Sequence, residues 1–556
     1  MNLTLTLPQS VQGNSGTGRL RAPVEDGGIL SQPTLHLGRQ LALENAQLLD
    51  SSVLTIAGRS IGEMRTWTRA ACLTAGLNWM SRILGTSPRL PEGIFFVTGH
   101  QPSLNHPGVW AKNIAVSHLA RCSGTTGIHL IVDNDLAGPP SIRVPAGSRE
   151  EPHFENLFYD AVSSHRPWEE RHLADPELFD SFADRVASAL KPWNIRPAIL
   201  DTWPAAIEAR ARTTQIPALL TACRVADERN WGVANLELPV SELCRTEPFL
   251  AFTQHLVQHV ECFFTAYNSA VHWYRRKYHV RNDRHPVPDL EQIGSRLELP
   301  FWYWAPGETD RRRVFVERTG QLMLLFAGEE QIAVLPSEGF DVSALAELQE
   351  RGRLRTRALT TTLFSRLCLA DLFLHGIGGA RYDEITDRLI QNFLGLTPPS
   401  FMTVTATVRL PLDPYPVTQD NLSRLKQELR QRQFQGPAIE SEEVRELRER
   451  RASLIEESRN QRTLGLSQSD RRARQPRARQ RHREIREIED RLKDLAQADI
   501  SSTEQALHRA KAELTANQVL KSREFATALF PSDALKKMVD TLRGEICTGR
   551  QPMAGR

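Results

Sequence analysis

The sequence predicts an α/β protein, with a Rossmann-like parallel-sheet core, inserted helical segments and a C-terminal antiparallel helical coiled-coil hairpin. Two apolar runs, Phe95–Gly99 and Gly127–Val132, flank an amphipathic stretch from Trp110 to Cys122. A strand–helix–strand unit of this kind implies neighbouring parallel strands that are covered by helices. After Pro416 the chain becomes rich in Arg, Glu, Gln and Leu and loses the strand pattern, which favours long helices.

Length and composition set wide limits on function. At 556 residues the chain exceeds one typical domain, so we expect several structural units. The 69 basic and 66 acidic residues nearly balance, so the overall charge indicates no class of partner. Seven widely spaced cysteines without a Cys-x-x-Cys pair argue against a disulfide framework and against a zinc ribbon. With no secretory signal and no apolar run of about 18 residues, we expect a cytoplasmic protein without a membrane partner.

Changes in composition divide the chain into four predicted regions. Residues 1–84 form an N-terminal arm and helices, and the arm is rich in Gly, Ser, Thr and Pro as far as Gln32. Such a composition is typical of a loose arm or a peripheral strand. Residues 85–415 form the Rossmann-like core with its insertions, residues 416–530 the helical coiled-coil domain, and residues 531–556 a C-terminal tail.

Apolar periodicity within the core predicts further elements. Further strands are expected at 198–203, 231–239, 312–318, 321–327 and 331–336. Helices are expected at 249–278, 361–374 and 382–394, and an extended segment with several prolines is expected at 397–416.

The C-terminal helical region carries two partial apolar seams. The first has the 3-4-3 spacing of the a/d positions of a coiled coil, and its members are Ile485, Ile488, Leu492 and Leu495. The second consists of Val444, Leu447 and Leu454. The segment between them contains Gly and Pro and no seam, so we expect the tip of a hairpin at 463–480. Because an apolar seam needs an apolar partner, we expect a homodimer through the coiled coil.

A cluster of arginines lies near the expected tip. Eight arginines fall between Arg471 and Arg486, and a basic tip of this kind can meet nucleic acid electrostatically. Glutamates surround the cluster on the helices, and no aromatic residues provide a stacking platform. We therefore expect no nucleic-acid partner.

The loops that follow the first two core strands are the strongest candidate site. In open α/β sheets, ligands bind outside the carboxyl ends of the strands. The helix that begins near Pro107 would direct its free N–H groups and positive dipole end to the same place, which suits phosphate or carboxylate. Histidines at this edge suit proton transfer near neutral pH. Paired aspartates suit an amine, or Mg²⁺ with its phosphates.

The candidate residues of these loops fall into two sets. The expected catalytic residues are His100, His106 and Asp133, and the expected substrate-binding residues are Gly99, Gln101, Gly108 and Asp135. We expect them to line one pocket together with the glycine-rich turn at 376–379. An alternative stays open, in which Gly99 and Pro107 are turn residues and one of the aspartates caps a helix.

That glycine-rich turn precedes a helix and offers backbone N–H groups. Upstream of it, Arg357 carries a planar guanidinium that binds carboxylates in a bidentate manner. The substrate-binding residues expected from this part of the chain are Arg357, Gly378, Gly379 and Asp383, the last in the first turn of the helix. A tight turn between two helices and an exposed salt bridge stay open as alternatives.

The order of these blocks resembles the cysteine ligase (BshC) family of bacillithiol biosynthesis. That family has a strand that ends in Thr-Gly-Gln-Gln, a loop with Gly-Pro and then a helix. The matching residues here are Thr98-Gly99-His100-Gln101 and His106-Pro107-Gly108. The acidic cluster Asp133-Asn134-Asp135 and the segment from Arg357 through Gly378-Gly379 to Asp383-Glu384 are also similar to the family. The resemblance covers most of the chain in layout, with His100 at the position of the first glutamine.

The resemblance implies a ligase that joins cysteine to an amino-sugar conjugate or a similar small anionic substrate. It implies carboxylate activation, for which ATP with Mg²⁺ is the candidate cofactor. Two alternatives stay open. The segment His106-Pro107-Gly108-Val109 is similar to the His-x-Gly-His motif of nucleotidyltransferases, with Val109 at the second histidine position, and would predict a nucleotide-binding nucleotidyl or adenylyl transferase. The other alternative is a non-enzymatic coiled-coil scaffold.

Overall fold

The computed structural model describes residues 20–86, 93–162, 165–282, 287–439, 441–463 and 468–548. These residues belong to two compact units. The first lies within Met1–Val144, Glu155–Pro411 and Arg523–Arg556, and the second lies within Pro145–Phe154 and Leu412–Ser522. The first unit is therefore assembled from three separate stretches of chain. The predicted arm before residue 20 and the predicted tail after residue 548 lie outside the described residues.

The strands are short and distributed along most of the chain. They are β1 (Gly28–Gln32), β2 (Thr55–Ile56), β3 (Arg59–Ser60), β4 (Phe96–His100), β5 (Gly127–Ile131), β6 (Ser141–Gly147), β7 (Pro152–Phe158), β8 (Asn235–Pro239), β9 (Gln292–Ile293), β10 (Arg296–Trp304), β11 (Arg312–Thr319), β12 (Leu322–Ala327), β13 (Glu330–Pro336), β14 (Arg353–Thr356), β15 (Leu372–His375) and β16 (Phe401–Thr407).

The helices occupy more of the chain than the strands. They are α1 (Gly38–Asp50), α2 (Ile61–Leu84), α3 (Pro107–Cys122), α4 (Pro176–Asp180), α5 (Phe182–Leu190), α6 (Ile199–Ala209), α7 (Ile216–Asn230), α8 (Val240–Leu243), α9 (Glu247–Gln258), α10 (Val260–Lys277), α11 (Ser343–Arg351), α12 (Ala358–Phe364), α13 (Ile377–Leu389), α14 (Gln419–Gln435), α15 (Glu442–Thr463), α16 (Gln468–Leu495), α17 (Gln497–Leu520) and α18 (Ser532–Thr548).

A six-stranded sheet forms the core of the first unit, with the strand order β1-β16-β15-β4-β5-β8. Neighbouring strands from β16 to β8 are parallel, and β1 at the edge is antiparallel to β16. Phe96 pairs with Gly127 and His100 pairs with Ile131, so the predicted parallel pair of strands is confirmed. The first unit is thus a mixed α/β structure around a mostly parallel sheet.

Helices cover both faces of this sheet. A Cβ added at Gly127 of β5 would lie only 2.5 Å from Cγ1 of Val116 on α3. The side chain of the next residue, Ile128, points to the opposite face, where it belongs to the same buried cluster as Trp79 and Met80 of α2. Glycine at position 127 therefore allows α3 to pack closely on one face while α2 covers the other.

Two segments of the core differ from their predicted structure. Residues 198–203 were expected as a strand but belong mostly to α6, where Ile199, Trp203 and Ala206 are buried at helical spacing. Residues 372–374 were expected at the end of a helix, but together with His375 they form β15, in which every residue is buried. A short apolar run fits a buried helix and a central strand equally well, and only its neighbours in the fold distinguish the two.

The second sheet of the first unit is antiparallel. Its strand order is β13-β12-β11-β10-β14, and β9 pairs with β10. The strands predicted at 312–318, 321–327 and 331–336 are confirmed as β11, β12 and β13. β14 places Arg355 in the core, and the chain continues through Arg357 into α12.

Helices α14 to α17 form most of the second unit. The predicted seam of α16 packs against the predicted seam of α15 in one apolar cluster, whose most buried members are Val444, Leu454, Ile488 and Leu492. Arg451 pairs with Glu489 at 2.6 Å and Arg491 pairs with Glu443 at 2.7 Å, so these two helices run in opposite directions. The seam that was expected to require a second copy is therefore covered within the same chain.

The tip of the expected hairpin is shorter than predicted. Residues 468–480, which were expected to belong to the tip, are part of α16, and the helix continues through Pro476. Residues 464–467 of the expected tip lie outside the described residues. A supercoiled hairpin stays a prediction.

The carboxylate of Asp371 joins helix α2 to two central strands. It is 2% exposed and pairs with Arg65 and with Arg69, the latter at 2.8 Å. Its second oxygen accepts a hydrogen bond from the backbone N–H of Phe95 at 2.7 Å, and the Asn45 side chain donates to the Asp371 carbonyl at 2.7 Å. Because Phe95 precedes β4 and Asp371 precedes β15, this carboxylate holds the amino ends of the two strands side by side.

We expect Asp371→Asn to lower the free energy of unfolding by about 3–5 kcal/mol, because the buried Arg65 loses its close counter-charge and keeps only the more distant Asp50 at 3.8 Å. Urea denaturation followed by circular dichroism measures the change. Asp201→Asn is the matched control, since Asp201 pairs with Arg196 at 2.6 Å on the surface, where an ion pair contributes little. Equal losses in the two variants would contradict the role assigned to Asp371.

Candidate functional site

The order of strands in the main sheet reverses at β4. The chain passes from β4 to β5 and β8 on one side and later returns to β15 and β16 on the other. At such a switch point a crevice forms beyond the carboxyl ends of two adjacent strands, and ligands of open α/β sheets bind there. His100 ends β4, His375 ends β15, Lys112 lies on α3, and Gly376–Gly379 lead into α13. These residues are called the switch-point cluster below.

Lys112 is a buried amine without a carboxylate partner. Its side chain is 4% exposed, and its Nζ atom donates a hydrogen bond to the Gly99 carbonyl at 2.9 Å. No carboxylate of the described residues forms an ion pair with it, and burial alone lowers the pKa of Lys112 to about 8. The amine therefore still carries its positive charge at neutral pH.

The start of α13 provides backbone N–H groups next to this amine. A Cβ added at Gly376, the residue before the helix, would lie 3.9 Å from the Lys112 Cδ atom. No side chain caps the helix, and no atom lies within 4 Å of the Cβ position of Gly378. Because a helix N-terminus carries partial positive charge, the amine and the helix end together suit a carboxylate or a phosphate.

Asp383 holds His375 in place. Helix α13 begins at Ile377, so Asp383 lies beyond the first turn in which it was predicted. Its carboxylate is 1% exposed and accepts hydrogen bonds from Arg366 and His375, both at 2.8 Å. Burial raises the pKa of Asp383, but the charges of Arg366 and His375 outweigh burial and keep this pKa below its ordinary range. The contact of Asp383 with substrate stays a prediction, and in this structure the carboxylate is buried against protein groups.

Gly379 packs on the ring of His375, where an added Cβ would lie 2.8 Å from Nδ1. Burial is the main cause that lowers the pKa of His375, and the charges of Arg366 and Lys112 add to it although Asp383 opposes them. Glycine at position 379 therefore allows the helix start and the histidine to share the crevice.

His100 has an environment that favours hydrogen bonding over proton transfer. Burial, followed by the charge of Lys112, lowers the pKa of His100 to about 3, which makes its imidazole a weak base near neutral pH. Its Nδ1 atom lies 3.3 Å from the Gln101 carbonyl. The cavity on its other side measures about 30 Å³, which is room for roughly one water molecule.

His106 and Gly108 shape the start of α3. His106 is the residue that caps the helix, and its Nδ1 atom accepts a hydrogen bond from the Gly108 N–H at 3.1 Å. Burial lowers the pKa of His106, although Glu524 opposes this effect. A Cβ at Gly108 would lie 2.6 Å from the Ala406 carbonyl oxygen, so glycine allows α3 to pack against β16. These positions fit the turn and capping alternative left open by the sequence.

A larger cavity, here called the Asp133 cavity, opens beyond the carboxyl ends of β5 and β8. Its volume is about 300 Å³, and its polar lining includes Asp133, Glu169, Glu170, Ser241, Arg245 and Arg353. Asp133 accepts hydrogen bonds from the Ser241 hydroxyl and, at 2.9 Å, from the Ser241 N–H. Burial, followed by the charge of Glu169, raises the pKa of Asp133 to about 7. Such a carboxyl group exchanges its proton near neutral pH and suits general acid–base chemistry in a cavity of ligand size.

Charge pairing distinguishes Asp133 from the other carboxylates of this cavity. Both oxygens of Glu169 accept hydrogen bonds from the buried Arg355 at 2.8 Å, and Glu170 pairs with Arg353 at 3.2 Å. Asp133 receives hydrogen bonds only from neutral donors among the residues that the structure describes. It is therefore the carboxyl group of the cavity that is free to change its charge.

Gln101 and Asp135 lie in a third group. The Gln101 side chain donates a hydrogen bond to Asp135 Oδ2 at 2.7 Å, and Arg311 pairs with Asp135 Oδ1 at 3.3 Å. Both oxygens of Asp135 are thus engaged by protein groups.

Arg357 lies near this third group. Its guanidinium pairs with Glu298 at 2.6 Å and stacks over the ring of Trp302, which also contacts Arg311. The carboxylate clamp predicted for Arg357 is therefore already closed on a protein carboxylate. The candidate residues were expected in one pocket, but the structure distributes them among the switch-point cluster, the Asp133 cavity and this charged group.

Lys112 and Glu169 are among the residues of these sites that were missed in the sequence. Lys112 gave a usable signal, because α3 is apolar on nearly all sides and a charged residue in such a helix must be buried. Glu169 gave none, since it approaches Asp133 through a loop whose path depends on the tertiary fold. The catalytic roles expected for His100, His106 and Asp133 stay predictions.

The chain matches no protein-family model and no curated protein. Among the helices described here, none has the length and apolar character that crossing a membrane demands. The described side chains also contain no group of three or more His, Cys, Asp or Glu residues that is arranged to hold a metal ion.

A comparison of the wild type with Asp133→Asn should reveal the pKa of this buried carboxyl group, because it changes how the stability of the folded chain depends on pH. Asp133 has a pKa of about 7 in the folded chain, above its ordinary value of 3.8, so the folded state binds the extra proton between these values. The stability of the wild type should therefore fall, relative to the variant, as pH rises through this window, by up to about 1.4 kcal/mol per pH unit. Thermal unfolding from about pH 5 to about pH 8 measures the difference, and a difference independent of pH would contradict the shift.

Proposed function

We propose that the protein is a ligase-like enzyme that binds a small anionic substrate at the switch-point cluster and forms a carbon–nitrogen bond. In the form implied by the sequence resemblance, cysteine is joined to an amino-sugar conjugate. The observation that carries the proposal is Lys112, whose buried amine lacks a carboxylate partner and adjoins the uncapped start of α13. A bound carboxylate or phosphate would supply the missing negative charge.

The switch-point cluster and the Asp133 cavity offer the two chemical functions that such a reaction needs. A carboxylate becomes reactive toward an amine only after one of its oxygens is converted to a leaving group, which is the chemistry that ATP with Mg²⁺ supplies when bound. The attacking amine must give up a proton, and Asp133, with a pKa of about 7, is suited to accept it. The Asp133 cavity adjoins β5, the neighbour of β4 in the sheet, so a second reactant there would lie on the same edge.

A nucleotidyl or adenylyl transferase is the second candidate, because a buried lysine beside a helix N-terminus suits a phosphate as well as a carboxylate. A scaffold would bind neither. We propose the finer architecture as well. A Rossmann-like core carries the site, and a coiled-coil hairpin forms the second unit.

Lys112→Met should abolish binding of the anionic substrate while leaving the chain folded. Thermal unfolding with cysteine, with an amino-sugar malate and with Mg-ATP compares the candidates, since a ligand at about 100 times its Kd stabilises the folded state by about 2.7 kcal/mol. Binding should also weaken as pH rises through about 8, where Lys112 loses its proton according to its pKa. Lys191→Met, at an exposed lysine of the same unit, is the matched control.

The pattern of binding separates the candidates. Stabilisation by cysteine or the amino-sugar malate supports the ligase, whereas stabilisation by Mg-ATP but by neither of these two, with pyrophosphate release, supports the transferase. No stabilisation by any of the three would favour the scaffold. Equal binding by the wild type and Lys112→Met would show that the ligand does not bind at the switch-point cluster.

We also infer a homodimer formed through the second unit, which is called the helical unit below. Because α15 already covers the seam of α16, another surface must provide the contact, and Phe434 and Ile439 of this unit are 44% and 83% exposed. Sedimentation should show a dimer for the wild type and a monomer for the double variant Phe434→Ser, Ile439→Ser. Ile293→Ser, at an exposed apolar residue of the first unit, should leave the dimer intact. A monomeric wild type would refute the dimer.

A further inference from the structure

Two cysteines that are 425 positions apart in the sequence meet at the surface of the first unit. Cys122 is the last residue of α3, and Cys547 lies in the last turn of α18. Their Sγ atoms are 3.3 Å apart, and both side chains are exposed. Since a disulfide bond requires about 2.05 Å between the sulfur atoms, the two thiols need to approach by only about 1 Å.

The local structure allows this approach. Both residues lie at the C-terminal ends of their helices, where the backbone has few hydrogen bonds to lose and opens most easily. The helices themselves are held together nearby, because Nε of Arg543 on α18 donates a hydrogen bond to Nε2 of His118 on α3 at 3.0 Å. Packing therefore holds the two cysteines close together, while the helix ends leave the sulfur atoms room to move toward each other.

The other cysteines lack one or both of these properties. Four are buried, so an oxidant in the solvent does not reach their sulfur atoms. Those four are Cys72, Cys223, Cys244 and Cys368. Cys262 on α10 is exposed but has no thiol beside it among the described residues. Only Cys122 and Cys547 combine access from solvent with a neighbouring thiol.

We propose that Cys122 and Cys547 are a redox-active dithiol that a small-molecule disulfide oxidises to an intramolecular disulfide bond. One thiolate attacks a sulfur atom of the small disulfide, which releases one small thiol and leaves a mixed disulfide on the protein. The second thiolate attacks the protein sulfur of that mixed disulfide, forms the Cys122–Cys547 bond and releases the second small thiol. Two electrons pass to the small disulfide, and the two protons of the cysteines end on the two released thiols.

The bond would attach α18 to α3, the helix that carries Lys112. Helix α18 already buries Leu535, Met538, Val539 and Leu542, and a covalent link between helix ends would prevent its detachment. A disulfide that closes so long a loop restricts the unfolded chain strongly, so the oxidised protein should unfold at a higher temperature than the reduced protein. This inference stands independently of the proposed function.

Oxidised glutathione is the probe for the test. The full chain is incubated with it at low protein concentration, digested without reduction and mapped by mass spectrometry. We expect a cross-linked pair of peptides that contains Cys122 and Cys547, reversal by dithiothreitol, and a higher unfolding temperature for the oxidised chain. Cys547→Ser should lose the cross-link and carry glutathione on Cys122 instead.

The control separates the pair from general thiol reactivity. Cys262→Ser removes the other exposed cysteine and should form the same cross-link as the wild type. Glutathione on both Cys122 and Cys547 of the wild type, without a cross-link, would overturn the proposal. Cross-links that join two copies of the chain, seen as a larger species on a non-reducing gel, would also overturn it.

Discussion

The first unit depends on one buried charge, the carboxylate of Asp371. It is held by two arginines of α2 and by the backbone N–H of Phe95, so that a helix on one face fixes two adjacent strands of the sheet. Removing such a carboxylate from water costs several kcal/mol, which its partners must offset. These contacts fix the relative position of the two strands, because β4 and β15 begin side by side at this point and end side by side at His100 and His375. A charge at one end of the sheet thus sets the geometry of the crevice at the other.

Electrostatics differs along the edge where the strands end. At the switch point the free charge is positive, since no carboxylate of the described residues pairs with Lys112 and none of their side chains caps the start of α13. At the ends of β5 and β8 the group free to titrate is acidic, since Asp133 receives only neutral donors. Burial increases both effects, because charges in a low-dielectric interior interact more strongly than in water. Adjacent strand ends therefore offer opposite chemistry to molecules that approach the same edge.

The sequence predicted the parts of this structure that are determined locally. An apolar run, a polar break and an amphipathic stretch were enough to identify β4, α3 and β5, and the same pattern indicated the edge at which candidate residues lie. It misassigned β15 because a run of four buried residues has no period of its own, and its identity as a strand comes from pairing with β4 and β16. Asp135 and Arg357 were expected to bind substrate, but their protein partners, Arg311 and Glu298, belong to the region of the second sheet and are brought to them by tertiary contacts that local patterns do not reveal.

The first unit is completed late in synthesis, because its helix α18 lies after the helical unit in the sequence. This helix packs on α3 and on the turn Leu35–Leu37, yet it follows the whole helical unit in the chain and is synthesised after it. While the helical unit is still being synthesised, the surface of α3 that α18 covers stays open to solvent and to other nascent chains. A premature stop anywhere in the helical unit would leave that surface bare although every strand of the main sheet is already present.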